Sequence, residues 1–147
     1  ARVKRRAETV RTGVTRSLER LQVDRVAVLA LHDPSDEDVR SDEVLRALDE
    51  VKRQGLAARI GIAGTYDSFV AAAAHAHIDV AQFAAADGAG RIAPLAARGV
   101  FTVVHRVFAG GSSLRECVAT NPSGVVLVSS FKPEHLQANV ATASSAP

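Results

Sequence analysis

The sequence predicts an α/β protein built from parallel βα repeats, and three observations lead there. Apolar runs recur at 24–31, 58–63, 79–84, 100–104 and 124–128. Each run is nearly continuous rather than alternating, which marks strands covered on both faces and hence a parallel sheet. Between the runs, apolar residues step by three or four, as crossover helices require. An open doubly wound sheet and an arc of a (β/α)8 barrel both satisfy this pattern. No Gly-x-Gly-x-x-Gly follows the first run, which weighs against a dinucleotide-binding Rossmann unit.

The elements follow in order. Val3, Ala7, Val10, Val14, Leu18 and Leu21 form the apolar stripe of an opening helix that docks on a core. The first strand, 24–31, is expected to be buried and is bounded by His32, Asp33 and Pro34. A helix over 41–53 turns Val44, Leu45, Leu48 and Val51 inward and stops near Gly55. An alanine-rich helix from Asp67 to about Ala76 follows the second strand. A short helix over 92–98 stops at Gly99, and another spans 113–119. Pro133 opens the last helix at a position suited to proline, with Leu136 and Val140 on one face. No long linker interrupts the series, so residues 1–147 read as one domain, with a small, polar tail from Ala141 that frays.

Composition narrows the functional classes. Aromatic residues make up only 4% of the chain, so small aliphatic side chains must fill the core. The single cysteine, Cys117, excludes an internal disulfide and fits a reducing, cytoplasmic compartment; it reads as a small buried hydrophobe. No apolar run approaches a membrane span, and no signal-like segment precedes the first helix. A chain that opens on Ala1 and has no methionine is expected to have been trimmed or processed. The first twenty residues are strongly basic, through Arg2, Lys4, Arg5, Arg6, Arg11, Arg16 and Arg20. No aromatic residue interleaves them, so a solvated helix face is expected rather than a nucleic-acid or membrane surface. His75 and His77 stand two apart, on different faces of a helix, and no Cys or carboxylate cluster completes a metal site.

Four segments carry a family resemblance. The first joins 17–21, 23–26 and Leu29-Ala30-Leu31-His32-Asp33-Pro34; the second joins 45–55 to Arg59-Ile60-Gly61-Ile62. The third is Gly99-Val100 with Arg106 and Ala109-Gly110-Gly111; the fourth is Asn121-Pro122 with 132–136 and Asn139. In this order they resemble the C-terminal five-eighths of an aldo-keto reductase, bacterial members most of all. The resemblance implies a partial (β/α)8 TIM barrel of about five strands, lacking the family's first three. It further implies an NADPH-dependent oxidoreductase that reduces the carbonyl of an aldehyde or ketone. A non-catalytic barrel relative that binds a nucleotide or a protein partner is the alternative.

The resemblance also assigns residues. His32 matches the histidine that orients the substrate carbonyl, at the strand end where barrel active sites lie. Without the resemblance, His32 reads as a strand-end residue paired with Asp33 or a backbone carbonyl. Gln82 matches the residue that holds the nicotinamide carboxamide. His105 stands where the family stacks a tyrosine on the ring. Arg106, Phe108, Gly110 and Gly111 lie in the loop along the pyrophosphate. Ser130 and Asn139 match contacts to the adenosine phosphate and the adenine. Ser129 and His135 replace a usual lysine and arginine, and Lys132 offers a charge for a 2′-phosphate, which favours NADP over NAD. The family's catalytic Asp, Tyr and Lys have no match here. Tyr66 reads as a helix-start packing residue, since a phenol needs a cationic neighbour to act as an acid near neutral pH. An arc of five strands leaves open edges, through which self-association is expected.

Overall fold

The structure is a computed structural model that describes residues 2–88, 90–109 and 113–145. Among these residues the elements run in the order α1 (Arg2–Leu21), β1 (Val26–His32), α2 (Asp36–Val39), α3 (Asp42–Arg53), β2 (Ala57–Ala63), α4 (Tyr66–Ala73), β3 (Val80–Ala84), α5 (Ala85–Gly88), α6 (Ile92–Ala97), β4 (Phe101–His105), α7 (Leu114–Thr120), β5 (Val125–Val126) and α8 (Pro133–Ser144). The strands are parallel and form one sheet in the order β1-β2-β3-β4-β5. Sequence order across the sheet is that of a barrel arc, and it removes the doubly wound alternative, whose order reverses at a switch point. The chain divides into two compact units, 1–81 and 82–147, with the division inside β3.

In the first unit, α1 and α3 cover β1 and β2. Val14 and Leu18 of α1 meet Val51 of α3 and Ala57 of β2, with Val10, Val26, Leu29 and Leu56 packed around them. The stripe of α1 read from the sequence is the one that docks, except that Leu21 is exposed. All four inward positions assigned to α3 are buried. Both helices end in the same motif: Val23 N–H donates to Leu18 O, and Leu56 N–H to Val51 O. That motif requires a left-handed residue just past the helix. Gly55 supplies it after α3 (φ 77°), whereas after α1 the position is Gln22 (φ 56°).

A staple closes the lower part of this unit. The Asp79 carboxylate accepts from Lys52 Nζ at 2.7 Å to each oxygen and from Ile60 N–H at 2.9 Å. His77 Nε2 lies 3.1 Å from its other oxygen. One carboxylate thereby ties the end of α3 to β2 and to the approach to β3. Burial raises its pKa, but the bonds from Lys52 and Ile60 and the charges of Lys52 and His77 outweigh it, holding the group below its usual range.

Five expectations need correction. The alanine-rich helix ends at Ala73 rather than about Ala76, so His75 and His77 lie beyond it. The segment from Ala141 does not fray but is helical through Ser144. The first strand is not buried throughout: Ala27 and Val28 are exposed, because β1 ends the sheet and pairs only with β2. The last strand shrinks from 124–128 to Val125–Val126, again at a sheet end with one neighbour. The last helix forms behind Pro133, yet Leu136 and Val140 are exposed and no residue of α8 is buried. Two apolar residues make too narrow a stripe to hold it down. Two short helices, α2 and α5, were not expected.

In the second unit, Phe83, Ile92, Leu95, Val104, Leu114 and Cys117 are buried. Among the described residues of this unit Thr102 and Asn121 are the buried polar ones, and they satisfy each other: Thr102 Oγ1 donates to Asn121 Oδ1 at 2.5 Å. Asn121 Nδ2 in turn donates to the carbonyls of Thr102 and Val125. This pair fixes the turn that delivers β5.

Candidate functional site

The end of β1 is the first candidate region. His32 is the last residue of the strand, and its side chain is 78% exposed. The next residue, Asp33, has φ 41°, a region that costs an L residue energy, and it breaks the strand there. Its N–H still donates to Ala63 O at 2.8 Å, the last rung toward β2. His32 Nδ1 and Asp33 Oδ2 stand 3.6 Å apart, both exposed, so the pair sought from sequence is too open to fix the ring. Beyond Pro34, Ser35 caps α2 in a capping box with Asp38. The Ser-x-x-Asp spacing is the local signal that could have marked this unexpected helix start. Tyr66 opens α4 behind the N-cap Thr65 and is half-buried, as a helix-start residue.

The second unit carries the cofactor candidates. His105 ends β4, and Arg106 follows in the left-handed region at φ 54°, its side chain exposed. A cavity of about 530 Å³ lies beside them, lined by His105, Arg106, Phe108, Leu127, Val128 and Ser129 among others. Phe108 is 61% exposed, which leaves an aromatic face available at the cavity. Gly110 and Gly111 lie outside the described residues. Past them, Ser113 caps α7, and its backbone N–H and hydroxyl hold the Glu116 carboxyl below its usual range. Gln82 sits in the middle of β3, half-buried.

The remaining candidates approach or belong to α8. Ser130 Oγ accepts from Lys132 N–H at 3.1 Å and donates to Lys132 O at 3.1 Å, shaping the entry to the helix. Lys132 is the N-cap, with an exposed side chain; His135 is exposed and Asn139 half-buried on the helix itself. The structure thus gathers His105, Arg106, Phe108 and Ser129 around one cavity. Gln82, Ser130, Lys132, His135 and Asn139 are not part of its lining. Among the described residues no group of three His, Cys, Asp or Glu could hold a metal ion, and His77 is engaged with Asp79. None of the described helices is long and apolar enough to cross a membrane.

With five parallel strands in sequence order and a histidine closing the first, the comparison with known proteins is decisive. The aldo/keto reductase family model matches residues 1–112. The chain belongs to the aldo/keto reductase family. Among solved structures, a Pseudomonas aeruginosa protein described as an aldo-keto reductase is 29% identical, with a TM-score of 0.79 over 95% of this chain and 60% of its own. A Bacillus halodurans aldo-keto reductase gives the same TM-score at 18% identity, over 96% of this chain and 63% of its own. A Klebsiella pneumoniae aldo/keto reductase solved in complex with NADP and acetate is 14% identical, with a TM-score of 0.64 over 91% and 59%. At such identities the last two bear on the fold alone. No curated protein matches the chain. The chain spans about 60% of the length of the solved relatives.

Proposed function

We propose that this aldo/keto reductase chain belongs to an NADPH-dependent reductase of aldehyde or ketone carbonyls, bacterial in type and cytoplasmic. The observation that carries the reading is the family match through residues 1–112, with His32 closing β1 inside it. The residues present fit a dinucleotide. A cavity of about 530 Å³ falls within the range of small-molecule sites. Arg106 offers an exposed cation and Ser129 a hydroxyl at that cavity, chemistry suited to phosphate, while His105 and Phe108 offer aromatic surface. Lys132 adds an exposed ammonium at the start of α8 for a 2′-phosphate.

Bound NADPH would supply the hydride that reduces the carbonyl carbon. The chain's own part is to hold and orient. His32 donates an imidazole N–H to the carbonyl oxygen and stabilises the charge that develops there. The family's Asp, Tyr and Lys have no counterpart in this sequence, so residues 1–147 on their own are expected to bind cofactor without appreciable turnover. The unpaired edge of β1 favours self-association of that segment.

Two measurements test the reading. Cofactor fluorescence titration should show NADPH binding, and Lys132→Glu should weaken NADPH by roughly 10-fold while moving NADH little, since only NADPH carries the extra phosphate. Equal losses for both cofactors would remove Lys132 from the site. Residues 1–147 that turn over carbonyls rapidly, with the activity lost in both His32→Ala and Tyr66→Phe, would make Tyr66 the acid instead. A full-length protein that binds neither cofactor would favour the non-catalytic relative.

A further inference from the structure

We propose that Arg6 is a positioning residue for His32, a strut between the turn around α2 and the last residue of β1. The inference rests on the reading of His32 as the group that orients the carbonyl. Arg6 Nη2 donates to the His32 carbonyl at 2.7 Å, across twenty-six positions of sequence. On the other side, Arg6 Nε stands 4.0 Å from Asp38 Oδ2. Asp38 is nearly inaccessible, with 4% of its side chain exposed. Its Oδ2 already accepts from Ser35 N–H at 3.0 Å and Ser35 Oγ at 2.9 Å. Arg6 Nε and Asp38 Oδ1 are the buried side-chain atoms without a hydrogen-bond partner among the described residues.

Burying a carboxylate and part of a guanidinium with an unused atom on each costs stability compared with apolar packing. A pair that contributes little to stability yet reaches a strand terminus is better explained by what it holds. What it holds is the backbone of His32, at the point where the chain is about to break into the left-handed Asp33. The imidazole is 78% exposed, and its nearest charged partner is 3.6 Å away and equally exposed. No side-chain contact of that strength can aim the ring, so its aim depends on the main chain beneath it. Arg6 reaches that main chain from α1, and only a planar, multi-donor group can serve the carbonyl while facing Asp38 with a second N–H. Lysine would offer a single charge point to one of them.

The test uses the full-length protein, with Arg6→Gln, Arg6→Lys, His32→Ala and both double variants. The first readout is the imidazole resonances of protein labelled with 13C-histidine, His32 being assigned by its loss in His32→Ala. Arg6→Gln should shift or broaden the His32 line and leave His75, His77, His105 and His135 in place; Arg6→Lys should restore it in part. The second readout is carbonyl reduction. Arg6→Gln should lower kcat about 10-fold with KM for NADPH unchanged, since a small misplacement of an orienting group costs rate. Combined with His32→Ala it should cost nothing more, because the strut has nothing left to aim. An unmoved His32 line, or kcat losses that multiply in the double variant, overturns the proposal. Loss of kcat in His32→Ala but not in Arg6→Gln overturns the strut and spares the proposed function. If His32→Ala leaves kcat intact, or the wild type shows no turnover, the functional reading fails, and the resonances alone decide whether Arg6 holds the ring. Should Arg6→Gln not melt cooperatively, Arg6→Lys carries both readouts: it should still shift or broaden the His32 line, lower kcat, and be non-additive with His32→Ala, and an unmoved line or multiplying losses overturns the strut.

Discussion

Replacing Asp79 with alanine should destabilise the first unit more than its half-surface position suggests. The carboxylate is 16% exposed and serves Lys52, the Ile60 N–H and His77 together. Hydrogen bonds to a charged group contribute about 1.5–3 kcal/mol, and breaking a fully buried ion pair costs about 3–5 kcal/mol. Lys52 is 32% exposed and can turn to water, so the upper figure does not apply. The Ile60 N–H, on a strand residue that is itself only 1% exposed, has no such escape. The expected loss is about 2–3 kcal/mol, equivalent to a fall in Tm of roughly 5–10 °C for a chain of this size. Asparagine at 79 keeps an acceptor for Ile60 and loses the charge, so about half the effect should remain. The pH dependence follows from the direction of the shift. The folded carboxyl lies below its ordinary value of 3.8, so above that value both states are ionised and the full contribution is present. As pH falls below it, the unfolded chain takes up the proton first, and stability is lost until the folded group protonates too. Urea melts of wild type, Asp79→Ala and Asp79→Asn at pH 7 and between pH 4 and 2 would measure this. A loss in Asp79→Ala under about 0.5 kcal/mol at pH 7, or an advantage of wild type over Asp79→Asn that persists unchanged to pH 2, would refute the reasoning.

Further outcomes follow from local geometry. Gln22→Gly should stabilise the chain by about 1 kcal/mol, because the left-handed conformation after α1 penalises a side chain; thermal melts at neutral pH would show it, and an unchanged or lower Tm would contradict the strain. Gly124→Ala should destabilise the second unit by about 2–3 kcal/mol, because a Cβ there would overlap the Asn121 side chain and the Thr102 carbonyl; a neutral result in urea would show that the turn can shift. Burial, and secondarily Glu116, pushes the Cys117 thiol above its ordinary range. Maleimide labelling at pH 7.5 should therefore be slow in the native protein and at least about 10-fold faster in urea, whereas equal rates would place the thiol in solvent.

The sequence by itself determined the repeat. Continuous apolar runs and helical stripes place β1 to β4, α1, α3 and α7 close to where they form, because burial on both faces and a docking stripe are properties that residue order encodes directly. Gly55 and Gly99 marked helix ends for the same reason: the left-handed turn they permit is local. The candidate site was legible as a set of positions through the family pattern, and His32 does close its strand. Tertiary structure decided the rest. Whether a strand is covered depends on its neighbours, so β1 and β5, at the ends of the sheet, expose residues that the sequence marks as buried. The exposed face of α8 has the same origin, since no stripe of two residues determines what it meets. The contacts that hold the strand ends, Arg6 on His32 and Lys52 on Asp79, join residues twenty-six and twenty-seven positions apart. Pairing at that separation leaves no periodicity in the chain, because the fold, not the sequence spacing, brings the partners together.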